Sequence, residues 1–319
     1  MKKALTCFII LLSLFSVFLF PQNSSAEQYN LEKIFYLPKY NAEKGVESLS
    51  ENWQKIDILA PQYHTVNADF SVSGTFGPKL KKAIKDHKLK VMPLVANANF
   101  SQKIIHNLLT SKAGQDKVIN YQDKDLYTAF IQKAYPLFQE NKLILSIVAV
   151  SRSTDYEDTD AFKNWAGAYD YKKLAESSDF ISLMAYDDPN SLGPVASVDF
   201  VNKTLSYVKD KIPAGKLSLG VPLYYWKWDA DKNKKVGSGL YKNILAIASS
   251  FRHVLSFDQS LGVSCLSYSY KNKKYKVWFE DKQSFQEKLN IATDNNLRGF
   301  SAWLLGGEDP DIWSILPKT

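Results

Sequence analysis

Short apolar runs separated by longer segments of helical period constrain this chain more than any other feature. Residues 34–40, 56–63, 89–96, 143–150, 180–186, 217–225 and 299–305 are nearly continuous in β-branched, aromatic and aliphatic side chains. Strands covered on both faces read this way. Between them, Pro78–His87 sets Leu80 and Ile84 against a lysine-rich face. Lys124–Glu140 repeats Leu126, Ala129, Phe130, Lys133, Ala134 and Leu137 at helical spacing, and 198–211 and 281–295 behave alike. Such alternation means parallel βα units. Over 319 residues it predicts an α/β fold, a TIM (β/α)8-type barrel that handles ligands at the C-terminal ends of its strands. An open doubly wound sheet is the alternative, but no glycine-rich phosphate loop opens a helix.

Two departures from a regular barrel are visible. Only seven strand-like runs occur where a closed barrel has eight. The shortfall lies between Val95 and Leu143, so the fourth βα unit is expected to be deleted or degenerate. Residues 227–280, before the last strand, hold a helical stretch at 243–251 and two runs, 263–270 and 274–279, around a Lys-Asn-Lys-Lys turn. They predict a small α+β insertion forming one wall of a cleft.

The start of the chain belongs to neither feature. Lys2 and Lys3 precede an apolar run from Ala4 to Phe20, followed by Ser24-Ser25-Ala26. That order predicts a secretion signal over 1–26, cut near Ala26, and a mature domain of 27–319. The run falls short of the ~20 residues that span a bilayer, so no stable membrane insertion is expected once it is removed. The expected location is secreted or periplasmic. Cys7 lies within the signal and leaves Cys265 alone, which excludes an internal disulfide. The four histidines lack metal-ligand spacing, and neither a metal nor a cofactor is expected. The formal charge of +7 becomes +5 without the two signal lysines, dispersed over residues such as Lys79, Lys81, Lys82 and Lys85. No nucleic-acid recognition motif accompanies it, and a monomer is expected.

Chemistry is expected at strand ends. The run at 180–186 leads into Met184-Ala-Tyr-Asp187, and the last contains Trp303. A tyrosine, a carboxylate and a tryptophan on one barrel face suit a sugar: its apolar faces stack on aromatics while polar groups fix its hydroxyls or amide. Tyr36, Tyr63, Tyr224, Tyr225, Trp226 and Trp228 also lie near expected strand ends, which predicts a strongly aromatic mouth.

On these motifs the chain resembles glycoside hydrolase family 18, the chitinase-like group, and especially its bacterial branch of cell-wall and spore-cortex hydrolases. The resemblance rests on Met184-Ala-Tyr-Asp187, Leu219-Gly-Val-Pro-Leu-Tyr224, Lys276-Val-Trp-Phe-Glu-Asp281, and Arg298-Gly-Phe-Ser-Ala-Trp303 running on to Gly307-Glu-Asp-Pro310. It implies a barrel acting on β-1,4-linked N-acetylglucosamine polymers, chitin or peptidoglycan. It also implies substrate assistance, in which the substrate's own N-acetyl oxygen attacks the anomeric carbon. By the same resemblance Tyr186 would hydrogen-bond the acetyl group, Asp187 would support it and Trp303 would floor the subsite. Met184, Tyr36 and Tyr224 join them as candidate substrate-binding residues.

The family's fourth-strand Asp-x-x-Asp-x-Asp-x-Glu, which supplies the proton-donating glutamic acid, has no match in this sequence. Asn120-Tyr121-Gln122 is the nearest remnant, with Gln122 in the place of the acid and Asn120 in that of its partner. An amide has no suitable proton to give, and general-acid help is worth roughly 10²–10⁴-fold in rate. Asp123, Asp125 and Asp155 are no convincing replacements, since the first two read as helix N-terminal charge. Three readings stay open: a catalytically impaired glycan-binding protein, an active glycosidase with a relocated acid, or a non-functional deletion product.

Overall fold

Parallel strands need cover on both faces, and alternate residues of each strand here serve two different cores. In β1 (Glu32–Pro38), Ile34 and Tyr36 point to one and Phe35 and Leu37 to the other. Chain order continues with β2 (Ile58–Val66), the two-residue β3 (Val72–Ser73), β4 (Leu94–Asn97), β5 (Ser146–Val150), β6 (Phe180–Met184) and β7 (Leu217–Pro222). A separate group, β8 (Tyr225–Asp229), β9 (Lys234–Gly239), β10 (Ser256–Asp258), β11 (Val263–Tyr270) and β12 (Lys273–Phe279), precedes β13 (Gly299–Trp303). The computed structural model describes residues 30–69, 71–97, 104, 123–251 and 254–319. The expected signal over 1–26 and the expected remnants Asn120 and Gln122 lie outside them.

The first sheet runs β4-β2-β1-β13-β7-β6-β5 with every one of these pairs parallel, and β3 lies antiparallel on the end of β2. The first and last parallel strands are therefore neighbours, with Ile34 opposite Ser301 on one side and Ile58 on the other. Leu94 from one edge strand and Val148 from the other pack on the same inner cluster of Ile34, Tyr36, Ile58, Ala60 and Phe180. Both edges can reach one cluster only because the sheet curls. Among the described residues no strand stands between β4 and β5. Among the described residues the sheet is an incomplete α/β barrel, with β4 and β5 not paired to each other at the place where the sequence spacing puts the shortfall.

The inner core carries polar groups too. Ser182, Ser218 and Ser301 are buried on adjacent strands, with the Ser301 hydroxyl 2.9 Å from that of Ser182 and 2.5 Å from that of Ser218. Each buried hydroxyl thereby has at least one hydrogen-bond partner.

Outside the sheet lie α1 (Ala42–Asn52), α2 (Pro78–His87), α3 (Lys124–Glu140), the short α4 (Asp160–Asn164) and α5 (Tyr171–Glu176), then α6 (Val198–Val208), α7 (Tyr241–Phe251) and α8 (Lys282–Asp294). Their starts are written in the sequence. Pro78 opens α2 at a position where no amide is needed. The Ser197 hydroxyl accepts from the Phe200 amide at the start of α6, and Asp281 and Ser284 form a reciprocal capping box on α8. The apolar stripe expected on α3 is not the face that it buries. Thr128 and Ile131 are buried, while Leu126, Phe130 and Leu137 are exposed. Apolar residues occupy too much of that helix's circumference for one neighbour to cover.

The run expected as one strand over 217–225 divides. Pro222 has no amide to continue a ladder, β7 ends there, and Tyr225 begins β8 in a second, antiparallel sheet ordered β10-β11-β12-β8-β9. One face of that sheet, with Tyr225, Leu266, Tyr268, Val277 and Phe279, packs on Ile244 and Ile247 of α7. The other face, with Trp226, Trp228, Cys265 and Trp278, packs on Val195, Tyr186 and Tyr224 at the end of the first sheet. No helix among the described residues is long and apolar enough to cross a membrane.

Candidate functional site

The C-terminal end of β6 turns sharply into its loop. Asp187 has φ 58°, in the left-handed region that aspartate tolerates better than most residues. This turn brings its carboxylate to the end of β7, where the Tyr224 hydroxyl donates to Asp187 Oδ1 at 2.6 Å. Tyr186 meets the edge of Tyr224 with ring centroids 6.3 Å apart and planes at 87°, a favoured aromatic geometry. Room for Tyr186 comes from Gly220 on β7: a Cβ there would clash with the Leu183 carbonyl and sit 3.0 Å from the Tyr186 ring.

Beside this group, Tyr36 of β1 and Trp303 at the end of β13 lie with ring centroids 5.8 Å apart. Tyr36 is buried next to Ser182, and burial pushes its phenol up to about 12. Trp303 is joined to Leu304 by a cis peptide, and its indole reaches the Tyr40 hydroxyl. Tyr36, Tyr186, Asp187, Tyr224 and Trp303 are therefore assembled at one end of the sheet from four strands far apart in sequence.

Burial also sets the protonation. The Asp187 carboxyl is held above the usual aspartate range by partial burial, offset in part by the Tyr224 hydrogen bond and by the positive charge of Lys235. The Tyr186 phenol is raised by burial and by the neighbouring Tyr36 and Asp187. Tyr224 is raised as well, first by burial and then by the Asp187 charge. Both phenols stay protonated at neutral pH and can donate hydrogen bonds.

A cleft of about 460 Å³ opens on this group, lined by Met184, Tyr186 and Asp187 from β6 and its loop, and by Asp160, Asn164 and Trp165 from the segment after β5. Its volume is in the range that small-molecule sites occupy. Trp165 is 58% exposed, so a large aromatic face is available to a ligand. Among the described residues no cluster of histidine, cysteine, aspartate or glutamate could hold a metal.

Two aromatics expected at this mouth lie elsewhere. Tyr63 packs on the outer core with its ring against Phe76, because strand alternation directs odd-numbered residues of β2 outward. Tyr225 faces α7 on the far side of the second sheet. Trp226 and Trp228 do approach, packing in the cluster that touches Tyr186 and Tyr224. Asp160, Asn164, Trp165, Tyr40 and Lys235 were not anticipated. The first three carry only the weak signal of following a strand's C-terminal end, and Lys235 depends on a cross-strand register that the sequence does not declare.

Residues 110–308 match the family profile described as glycosyl hydrolases family 18. The chain is 29% identical over 202 residues to the cortical fragment-lytic enzyme of Bacillus subtilis, an alignment covering 61% of this chain and 46% of that protein. It is 26% identical over 206 residues to the uncharacterized glycosylase YvbX of the same organism, covering 63% and 59%. The chain thus spans about half the length of the curated relatives it matches. In fold it is similar to the spore cortex-lytic enzyme SleL of Bacillus megaterium, with a TM-score of 0.74 at 21% identity over 91% of this chain and 74% of that one. A chitinase from Chromobacterium violaceum gives a TM-score of 0.76 at 20% identity over 90% and 98%. The strand order, the residues gathered at its C-terminal end and the profile over 110–308 agree, and the chain belongs to glycosyl hydrolases family 18.

Proposed function

We propose that this chain binds β-1,4-linked N-acetylglucosamine glycans, chitin or peptidoglycan, in the cleft at the strand ends, and that its capacity to cut them is impaired. The observation that carries the binding half is the hydrogen-bonded group of Tyr224 and Asp187, in edge contact with Tyr186 and opening on a cleft with an exposed Trp165. In this reading Trp303 and Trp165 stack on sugar faces, the Tyr186 phenol donates to an N-acetyl oxygen, and Asp187 orders Tyr224 and receives an amide or hydroxyl. Met184 and Tyr36 shape the apolar floor. Impairment rests on the sequence, which has no Asp-x-Asp-x-Glu motif. Export by way of residues 1–26 completes the proposal and would bring the chain to such polymers outside the cell.

A second reading has one observation in its favour. Asp160 lines the same cleft as Asp187, so two carboxyls face one cavity, and Asp187 has the raised proton affinity a donor needs. Isothermal titration with chitotetraose and with purified muropeptides tests the binding half: saturable heat is expected, and no heat at millimolar ligand sinks it. Reducing-end release over a long incubation tests the other half. No release is expected, whereas release abolished by Asp160→Asn or Asp187→Asn would establish the second reading.

A further inference from the structure

The chain's positive charge is not dispersed. Residues 227–280 contain nine lysines and one arginine against four acidic residues, an excess of six out of the whole chain's +7. Strand pairing brings the lysines of two neighbouring hairpins into one sheet, where alternation divides them between its two faces. Lys234 and Lys235 lie on β9, Lys273, Lys274 and Lys276 on β12, and both strands flank β8.

Two of these ammonium groups lie over tryptophans of the face that packs on Tyr186 and Tyr224. Lys235 is opposite Trp228 across the β8–β9 pair and sets its Nζ 3.9 Å from the centroid of the Trp226 ring. Lys276 is opposite Trp228 from the other side and sets its Nζ 3.9 Å from the Trp278 ring. A lysine held over an aromatic face is attracted by the ring's negative potential while its remaining protons stay free to donate. Lys235 is the one next to the site. Trp226 beneath it packs in the cluster that touches Tyr186 and Tyr224, and the charge of Lys235 is felt at Asp187. Lys235 is exposed and, among the described residues, forms no salt bridge. An exposed cation held over Trp226, within electrostatic reach of Asp187 but in no salt bridge among the described residues, suits an anionic substituent on what the cleft holds.

We propose that Lys235 is a specificity-determining residue that binds a carboxylate carried by the glycan in the cleft, so that this chain takes an acidic N-acetylhexosamine polymer in preference to neutral chitin. The proposal rests on the glycan-binding reading of the cleft and adds the sign of the ligand's charge to it. A neutral chitin chain leaves the rim ammonium with water, whereas a lactyl or peptide carboxylate on every second sugar meets it.

Titration calorimetry of the full chain tests this with three ligands. They are chitotetraose, a tetrasaccharide alternating N-acetylglucosamine with N-acetylmuramic acid, and the same tetrasaccharide with its peptides. At about 0.1 M NaCl the acidic ligands are expected to bind about tenfold tighter than chitotetraose, the lower end for one charge-assisted hydrogen bond. Lys235→Gln should remove that preference, weakening the acidic ligands about tenfold more than chitotetraose. Lys235→Arg should keep the preference, and Lys81→Gln on the distant α2 should change nothing. Raising NaCl to about 1 M, which shortens the screening length from about 10 Å to about 3 Å, should shrink the preference in the wild type. A preference seen only with the peptide-bearing ligand assigns the carboxylate to the peptide rather than the sugar. Equal affinity of the wild type for neutral and acidic ligands overturns the proposal while the glycan-binding reading stands, as does a preference that survives Lys235→Gln. Binding of none of the three removes both.

Discussion

At the scale of single residues, the mouth depends on one missing side chain. Tyr186 can lie against β7 only because Gly220 has no Cβ. Gly220→Ala forces the β6 backbone at the Leu183 carbonyl to shift and crowds the Tyr186 ring, and overpacking of this kind costs typically about 1–3 kcal/mol. Urea unfolding should show that loss, and titration should show weaker glycan binding in the variant even at temperatures where it stays folded. Asp187 makes a prediction of opposite sign. Burial holds its carboxyl above the usual aspartate range, so the ionised form is the one the fold disfavours. The stability it contributes is complete below its unfolded pKa and is lost as pH rises through the raised folded value. Asp187→Asn keeps an oxygen to accept from Tyr224 and abolishes the titration. Thermal melts should therefore show the variant at least as stable as the wild type near pH 7, with any advantage shrinking toward about pH 3.

At the scale of elements, the second sheet is fastened to α8 by an ion pair removed from water. Lys288 Nζ lies 2.8 Å from Glu280 Oε1, with side-chain exposures of 0% and 2%. Burial raises the Glu280 carboxyl and the lysine opposes that rise. Removing one partner of such a pair strands the other, at a typical cost of about 3–5 kcal/mol. Lys288→Met should lower the urea midpoint accordingly, and Lys288→Met combined with Glu280→Leu should recover much of the loss. Elements also show where sequence reading succeeds. Strands covered on both faces are continuous apolar runs, which makes β1, β6, β7 and β13 legible, and the residues just past their ends follow. Faces are harder. Tyr63 and Tyr225 lie near strand ends as Tyr36 and Tyr224 do, but alternation turns them to the outer core and to α7. On α3 the burial of Thr128 and Ile131 in place of the Leu126, Phe130 and Leu137 stripe reflects what neighbours exist, which no helical period records.

At the scale of the whole molecule, the curled sheet and the antiparallel sheet meet around Tyr186, Tyr224, Trp226 and Trp228, so the cleft's carboxylates come from one body and the lysine nearest to Asp187 from the other. The aromatic half of that junction is readable as motifs because each lies within a few residues of chain. The basic half is not, since the lysines of β9 and β12 converge only through the β8 strand between them. The pairing of β1 with β13 has a consequence in time. Arg298 holds Glu32 in a two-pronged ion pair across 266 residues of sequence, and β1 has its second neighbour only when β13 exists. Contacts this distant slow folding. β1 therefore stays half-paired until β13 is available, so the curled sheet is sealed along this seam by partners distant in sequence rather than built up outward from β1.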